Sequence, residues 1–192
     1  MSQEIELKCT SWNCRGLQKV KKIKQVMSKL KEMDSKIVFL QETHTLDKEN
    51  IKISRRWPGR IFAASFSTQA RGVMILIHNS VPFEVTNEIK DTFGRYIIIQ
   101  GSILSTKLNL VNIYGPNVDD QGFYTNLFLK LSSLPGEFMM AGDWNCTLEP
   151  SKDRSTGIDL THNKCRTTIH NFIKEINLLD IWRHMKPDQV AY

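Results

Sequence analysis

Four short segments of this chain carry side chains suited to one kind of chemistry. Trp12-Asn13, Gln41-Glu42, Tyr114-Gly115-Pro116-Asn117 and Gly142-Asp143-Trp144-Asn145 combine two carboxylates with several amides and a phenol. Such hard oxygen donors suit a single divalent cation. Mg²⁺ needs only one or two carboxylates and lets water and phosphate complete its shell. Glu42 follows the apolar run Ile37-Val38-Phe39-Leu40, where burial makes a carboxylate costly unless a cation or hydrogen-bond donors meet it. Asp143 stands two residues before Asn145, so one side chain can orient the other. Each segment alone has an ordinary reading. A glutamate after a strand is commonly a surface acid, Gly-Asp-x-Asn and Pro-Asn are turn sequences, and Tyr114 fits a half-buried strand position. Their order and their shared place at strand ends give them weight together.

The elements that must position them follow from hydrophobic periodicity. Ile5, Leu7 and Cys9 alternate with polar neighbours over residues 5–12, the pattern of a half-buried strand. Val20, Ile23, Met27 and Leu30 recur at steps of three and four over residues 20–33, one face of a helix that Asp34-Ser35 ends. Residues 37–40 read as a buried strand. Residues 60–66, 72–78, 83–89, 95–103 and 107–114 are further β-rich runs. Phe123, Leu127 and Leu131 predict an amphipathic helix over 121–133, and Phe138-Met139-Met140-Ala141 another buried strand. Thr161 is the expected N-cap of a last helix whose apolar stripe is Ile169, Phe172, Ile173 and Ile176. Residues 146–160, rich in Ser, Asp, Gly and Pro, form the longest expected loop, a place where function often resides. Strands bracketed by a few helices point to an α+β sandwich.

Composition narrows the class. With 192 residues, 41% hydrophobic and 24% charged, the chain is of one-domain size and excludes wholesale disorder. No apolar run reaches the roughly 18 residues of a membrane span, and no signal peptide is visible. The net charge is +6, and residues 15–36 alone, with eight basic residues against two acids, account for all of it. A local excess of this kind fits a polyanion-facing patch or a solvated helix face. Cys9, Cys14, Cys146 and Cys165 show no metal-binding or disulfide-framework spacing, so free thiols are expected.

The ordered segments Trp12-Asn13, Leu40-Gln41-Glu42-Thr43, Arg71-Gly72-Val73, Asn112 through Asn117 and Gly142-Asp143-Trp144-Asn145 resemble the endonuclease/exonuclease/phosphatase superfamily. Trp-Asn-Cys-Arg-Gly-Leu at 12–17, Gln-Glu-Thr-His at 41–44, Asp-Arg-Ser at 153–155 and Leu-Leu-Asp-Ile-Trp-Arg at 178–183 look like one branch of it. That branch is the apurinic-endonuclease-like domain of LINE-type retrotransposon reverse-transcriptase proteins. The resemblance implies a DNase I-like, four-layer α/β/β/α sandwich of two mixed sheets. It implies hydrolysis of DNA phosphodiesters with Mg²⁺, or Mn²⁺ in its place, by a monomeric nuclear domain normally followed by a reverse transcriptase. Its partner would be DNA, with no membrane and no small-molecule cofactor.

By motif match, Glu42 would be the main metal ligand, with Asn13 beside it in the metal site. Asp143 would orient or activate the attacking water, and Asn145 would hold the phosphate or Asp143. Tyr114 and Asn117 would contact the scissile phosphate. Arg154 would touch DNA, as would Arg15, which stands where classical repair members carry an acid. The family closes with a Ser-Arg-Ile-Asp-like strand and a terminal Ser-Asp-His motif, and the chain stops at Tyr192 before them. Residues 1–192 therefore read as a single, C-terminally incomplete domain lacking its last strands, and because the family's terminal catalytic His and its Asp partner have no counterpart here, the resemblance implies impaired nuclease activity. Of the five histidines, His44 is the nearest candidate for a supporting or metal role, against an exposed loop position as the alternative. Two other readings stay open: a catalytically inactive DNA-binding module, and a superfamily phosphatase acting on a small or lipid phosphate.

Overall fold

A computed structural model of the chain describes residues 6–158 and 161–190. The first expected strand thus has its residue 5 outside the described residues, and residues 159 and 160 of the expected long loop lie outside them too. The chain divides into two compact units. One holds the residues up to Tyr114 together with Gly136–Asp143; the other holds Gly115–Pro135 and the chain from Trp144 onward.

The first unit contains two four-stranded mixed sheets. One has the order β1 (Cys9–Asn13), β2 (Ile37–Gln41), β4 (Val73–His78), β3 (Gly59–Ala64). β2 runs parallel to β1, with Asn13 opposite Gln41, and antiparallel to β4. Every residue of β2 is buried, which explains its continuous apolar run. Its side chains alternate between two cores, as the two-residue period of a strand requires. Val38 and Leu40 join Ile23, Val26, Leu30, Ile53 and Trp57 in one cluster. Ile37 and Phe39 join Ile97, Ile99 and Leu110 of the second sheet in the other. That second sheet has the order β5 (Phe83–Lys90), β6 (Tyr96–Ile103), β7 (Thr106–Tyr114), β8 (Glu137–Asp143). Its first three strands are antiparallel, and β8 is parallel to β7 with Tyr114 opposite Asp143.

Helix α1 (Val20–Glu32) buries Ile23, Val26, Met27 and Leu30. Each such side chain contributes about 1.5–3 kcal/mol by leaving water. The helix stops in a Schellman turn: Asp34 takes φ 53, Ser35 N donates to Leu30 O and Asp34 N donates to Lys31 O. A 3-10 turn at Asp47–Glu49 and the one-turn helix α2 (Ile51–Ser54) follow β2.

A polar bridge joins the two sheets through their apolar core. Gln41 Nε2 donates to Asn112 Oδ1 (2.7 Å), and Asn112 Nδ2 donates to the carbonyls of Leu40 (2.9 Å) and Met74 (2.7 Å). Both side chains are almost fully buried, and their mutual satisfaction is what makes such burial tolerable.

In the second unit, α3 (Gln121–Ser132) packs on α5 (Asn163–Glu175). Phe128 and Phe172 stack with centroids 3.8 Å apart. Asp120 caps α3 through Phe123 N. α5 begins one residue later than expected: His162, not Thr161, occupies the N-cap, while the Thr161 hydroxyl is spent on His162 Nδ1. The expected loop contains a one-turn helix, α4 (Pro150–Asp153), and a short helix α6 (Ile181–Met185) follows α5. Arg183 of α6 pairs with Asp153 and with Glu149, so two of the branch motifs meet in one ion-pair cluster. Among the described residues no helix is long and apolar enough to cross a membrane.

Candidate active site

The parallel pairing of β1 with β2 and of β7 with β8 brings the C-terminal ends of these strands together in pairs. Asn13, Glu42, Tyr114 and Asp143 sit at those four ends, all within the sheet-bearing unit. Asn13 joins the two carboxylates. Its Nδ2 donates to Glu42 Oε1 and to Asp143 Oδ2, each at 2.8 Å. Two carboxylate oxygens therefore share one amide nitrogen.

The backbone around this cluster is stitched tightly. Gly16 N donates to Glu42 O, Leu17 N to Thr43 O, Thr43 N to Gly72 O and His44 N to Arg71 O. Glu42, His44, Arg71 and Arg15 all adopt left-handed conformations, at φ 49, 51, 60 and 47. Such conformations cost non-glycine residues about 1–2 kcal/mol each and persist only where surrounding contacts over-determine them. Gly142 explains why β8 can deliver Asp143: at φ 147 any Cβ would meet Ile113 O at 2.0 Å, so only glycine fits the step before the aspartate.

Tyr114 is buried, and its hydroxyl is held above the ordinary tyrosine value, first by burial and then by the charge of Glu42 and a hydrogen bond to it; Asp143 adds to this and Arg95 opposes it. The phenol therefore remains protonated, and a donor, across the physiological range. Two further groups come to the cluster, His44, which the sequence offers as the nearest supporting histidine, and Arg95, which no motif announces. His44 places Nε2 3.6 Å from Glu42 Oε2, with side-chain exposures of 17% and 21%, so it is no exposed loop histidine. Arg95 sets its guanidinium 5.8 Å from the Tyr114 ring centroid, and its Nη1 donates to Tyr114 O.

Asn13 turns its nitrogen, not its oxygen, toward the carboxylates, while Asn13 Oδ1 accepts the Arg15 backbone N–H at 3.1 Å. As a cation ligand Asn13 would contribute that oxygen; in this arrangement it organises Glu42 and Asp143. Arg15 itself is exposed, and its carbonyl accepts from Lys22 Nζ.

In the second unit the other candidates form their own set. Asn145, at φ 48, donates from Nδ2 to Asn117 Oδ1 and to Gly115 O, both at 2.9 Å. Gly115 cannot carry a side chain, since its Cβ would lie 2.2 Å from Trp144 O and from the Tyr124 hydroxyl. His162 Nε2 lies 3.3 Å from Asn117 O. Arg154 Nε donates to Thr147 Oγ1 within its own loop.

The donor set fits a divalent cation of oxygen chemistry. Two carboxylates that share a single amide gain from a positive charge between them, and Mg²⁺ asks no more of a protein than this. Among the described residues no group of three or more His, Cys, Asp or Glu lies together as a metal-binding cluster.

Residues 10–183 match the model of the Endonuclease/Exonuclease/phosphatase family. The chain belongs to this family. Its members' namesake reactions hydrolyse phosphate esters, and membership supports a hydrolytic, phosphoesterase-type role. The two mixed sheets form a DNase I-like sandwich, consistent with structural neighbours that are AP endonucleases. An AP endonuclease from Archaeoglobus fulgidus superposes with a TM-score of 0.74 at 22% identity, over 97% of this chain and 77% of that one. The AP endonuclease LMAP from Leishmania major gives 0.74 at 16% identity over 95% and 70%. The catalytic domain of Xenopus laevis APE2 gives 0.73 at 18% identity over 93% and 72%. In sequence the chain is 25% identical to the Transposon TX1 uncharacterized 149 kDa protein of Xenopus laevis, over 98% of this chain. It spans 14% of that protein's length.

Proposed function

We propose that this family member is a Mg²⁺-dependent DNA endonuclease that nicks target DNA for a LINE-type retrotransposon, and that residues 1–192 act as one nuclease domain. The observation that carries the reading is the Asn13 amide shared by Glu42 and Asp143 at the ends of paired parallel strands. The transposon-encoded relative and the lysine-rich exposed face of α1 support DNA, in the nucleus, as the substrate. In this reading a reverse transcriptase follows the nuclease domain in the parent protein, in keeping with a transposon relative of which the chain spans 14%.

Glu42 is the proposed anchor for the cation, which when bound neutralises charge on the phosphate oxygens and favours attack at phosphorus. Asp143 orients the attacking water and accepts its proton. Asn13 holds both carboxylates in place. Tyr114, kept protonated by burial and by Glu42, donates to a phosphate oxygen. Asn145 and Asn117, already hydrogen-bonded to each other, are the amides proposed to hold the phosphate. Arg15 and Arg154 are proposed DNA contacts. Exposed Phe66 and Phe93, whose rings lie 6.4 Å apart beside Arg71, add an aromatic surface for bases.

The test is nicking of supercoiled plasmid with Mg²⁺. The reading expects open-circular product that EDTA abolishes and that Asp143→Ala reduces by at least about 100-fold, in line with the loss of one group acting on the transition state. DNA binding without nicking would instead mark a binding module. Hydrolysis of a small or lipid phosphate that DNA does not inhibit would mark a phosphatase.

A further inference from the structure

The sheet-bearing unit has a concave feature at the opposite end of β2 from Glu42. Lys36 precedes β2 and Glu42 follows it, and six residues of extended chain span about 20 Å. Here a cavity of about 500 Å³ opens between the last turn of α1, the segments after α1 and α2, and the end of β4. Volumes of about 300–1,000 Å³ are those of small-molecule sites.

The cavity is lined with an excess of positive charge. Lys31, Lys36, Arg55 and Arg56 contribute to it against one carboxylate, Asp34. That carboxylate is already engaged, by Lys36 Nζ at 2.7 Å and by Lys8 Nζ at 3.7 Å. Lys31 and Arg55 have no side-chain partner among the described residues. Arg56 is oriented by a hydrogen bond from Nη1 to Lys52 O (2.7 Å), which leaves its other N–H groups to give. The helix end does not oppose an anion here, because the last carbonyls of α1 accept from Met33, Asp34 and Ser35 in the closing turn.

The remaining lining is of two kinds. Met27, Pro58 and the Trp57 ring offer apolar surface. His78 offers a ring nitrogen at the edge. His78 Nδ1 accepts the Ser80 backbone N–H, so the neutral ring carries its hydrogen on Nε2. Cations and donors together with an apolar floor describe a site for an anion that bears an organic body.

We propose that this cavity binds a nucleotide-sized organic phosphate, separately from the carboxylate cluster. Its source is either a free mononucleotide or the phosphorylated end of a nucleic-acid strand. The site does not depend on the nuclease reading.

Isothermal titration of the whole chain at low salt tests it. AMP, adenosine, inorganic phosphate, and a short oligothymidylate with and without a 5′-phosphate are the probes. Saturable AMP binding is expected, with adenosine and inorganic phosphate each weaker by at least about tenfold, or 1.4 kcal/mol. The double variant Lys31→Glu, Arg55→Glu should weaken AMP by a similar factor; both side chains are exposed, and an unchanged thermal midpoint confirms the fold. Displacement of AMP by the phosphorylated oligonucleotide alone identifies the strand end as the source, and its failure to displace identifies the free nucleotide. The proposal is overturned if neither AMP nor the phosphorylated oligonucleotide saturates, if the double variant binds AMP unchanged, or if inorganic phosphate binds as tightly as AMP.

Discussion

The two ends of the sheet β1-β2-β4-β3 are built by different rules. At the C-terminal end of β2 the backbone is forced: four non-glycine residues are left-handed, and carboxylates gather around one amide. At the N-terminal end a regular Schellman turn delivers the chain into the strand, and the side chains that collect are cations. One end stores strain and negative charge; the other is relaxed and positive. Glu42 and His44 lie two residues apart just beyond the strand, both left-handed, and His44 Nε2 comes to 3.6 Å from Glu42 Oε2. A site that must hold like charges close needs an over-determined backbone, whereas a site for a diffusing anion needs only cations with freedom to close on it.

The largest break in this contrast comes from the carboxylate end. Glu42→Gln should lower nicking by about 10²–10³-fold without lowering the thermal midpoint, because removing one of two neighbouring negative charges relieves repulsion while the amide oxygen can still accept from Asn13. A fall in midpoint comparable to the loss of activity would show that Glu42 serves the fold rather than the chemistry. Asn13→Ala should cost less, about 10–100-fold, as expected for a group that orients ligands rather than supplying one. Plasmid nicking at matched Mg²⁺ measures both, and raised Mg²⁺ should partly restore the second variant only.

The bridge beneath the site separates placement from stability. Asn112→Leu keeps the branching at Cγ but leaves Gln41 Nε2 with one acceptor fewer and the carbonyls of Leu40 and Met74 without their donor. Each unsatisfied buried group costs about 1–3 kcal/mol, so chemical denaturation should report a loss in that range. A neutral result would mean that water or repacking satisfies the same atoms.

Much of this architecture could be read from the chain because it is local. The steps of three and four from Val20 to Leu30 predict α1, and β2 announces itself by four apolar residues. Helices α4 and α6 went unread because four or five residues are too few to show a period. At the site, Asn13, Glu42, Tyr114 and Asp143 were legible as polar residues after strands, and the structure places them at four strand ends. What they touch was not legible. The approach of Arg95 depends on the turn closed by Gly94 N donating to Asp91 O, and the Gln41–Asn112 bridge on two sheets meeting across 71 positions of sequence.

The smallest expected effect concerns Cys14, one residue beyond Asn13. Its thiol is pushed up to about 12, first by burial, with Lys22 lowering it and Glu42 raising it. At pH 8 a group of that pKa is ionised to about one part in 10⁴, and the thiolate is the form that alkylates. Iodoacetamide should therefore leave Cys14 unmodified in the native chain and label it once urea unfolds the protein, as peptide mass analysis would show. The sign of the linkage follows. The raised value means that the folded state holds its proton longer than the unfolded one, so this contribution to stability is complete below the ordinary cysteine value and is lost as pH rises toward 12. Cys14→Ala should flatten that alkaline decline while leaving nicking near its original rate, because the Cys14 thiol donates to the Trp12 carbonyl, and the backbone bond from Cys14 N to Gln41 O survives the substitution. Rapid native labelling of Cys14 at pH 8 would show instead that the carboxylate end of the sheet opens readily, and the rigidity assigned to its left-handed turns would fail with it.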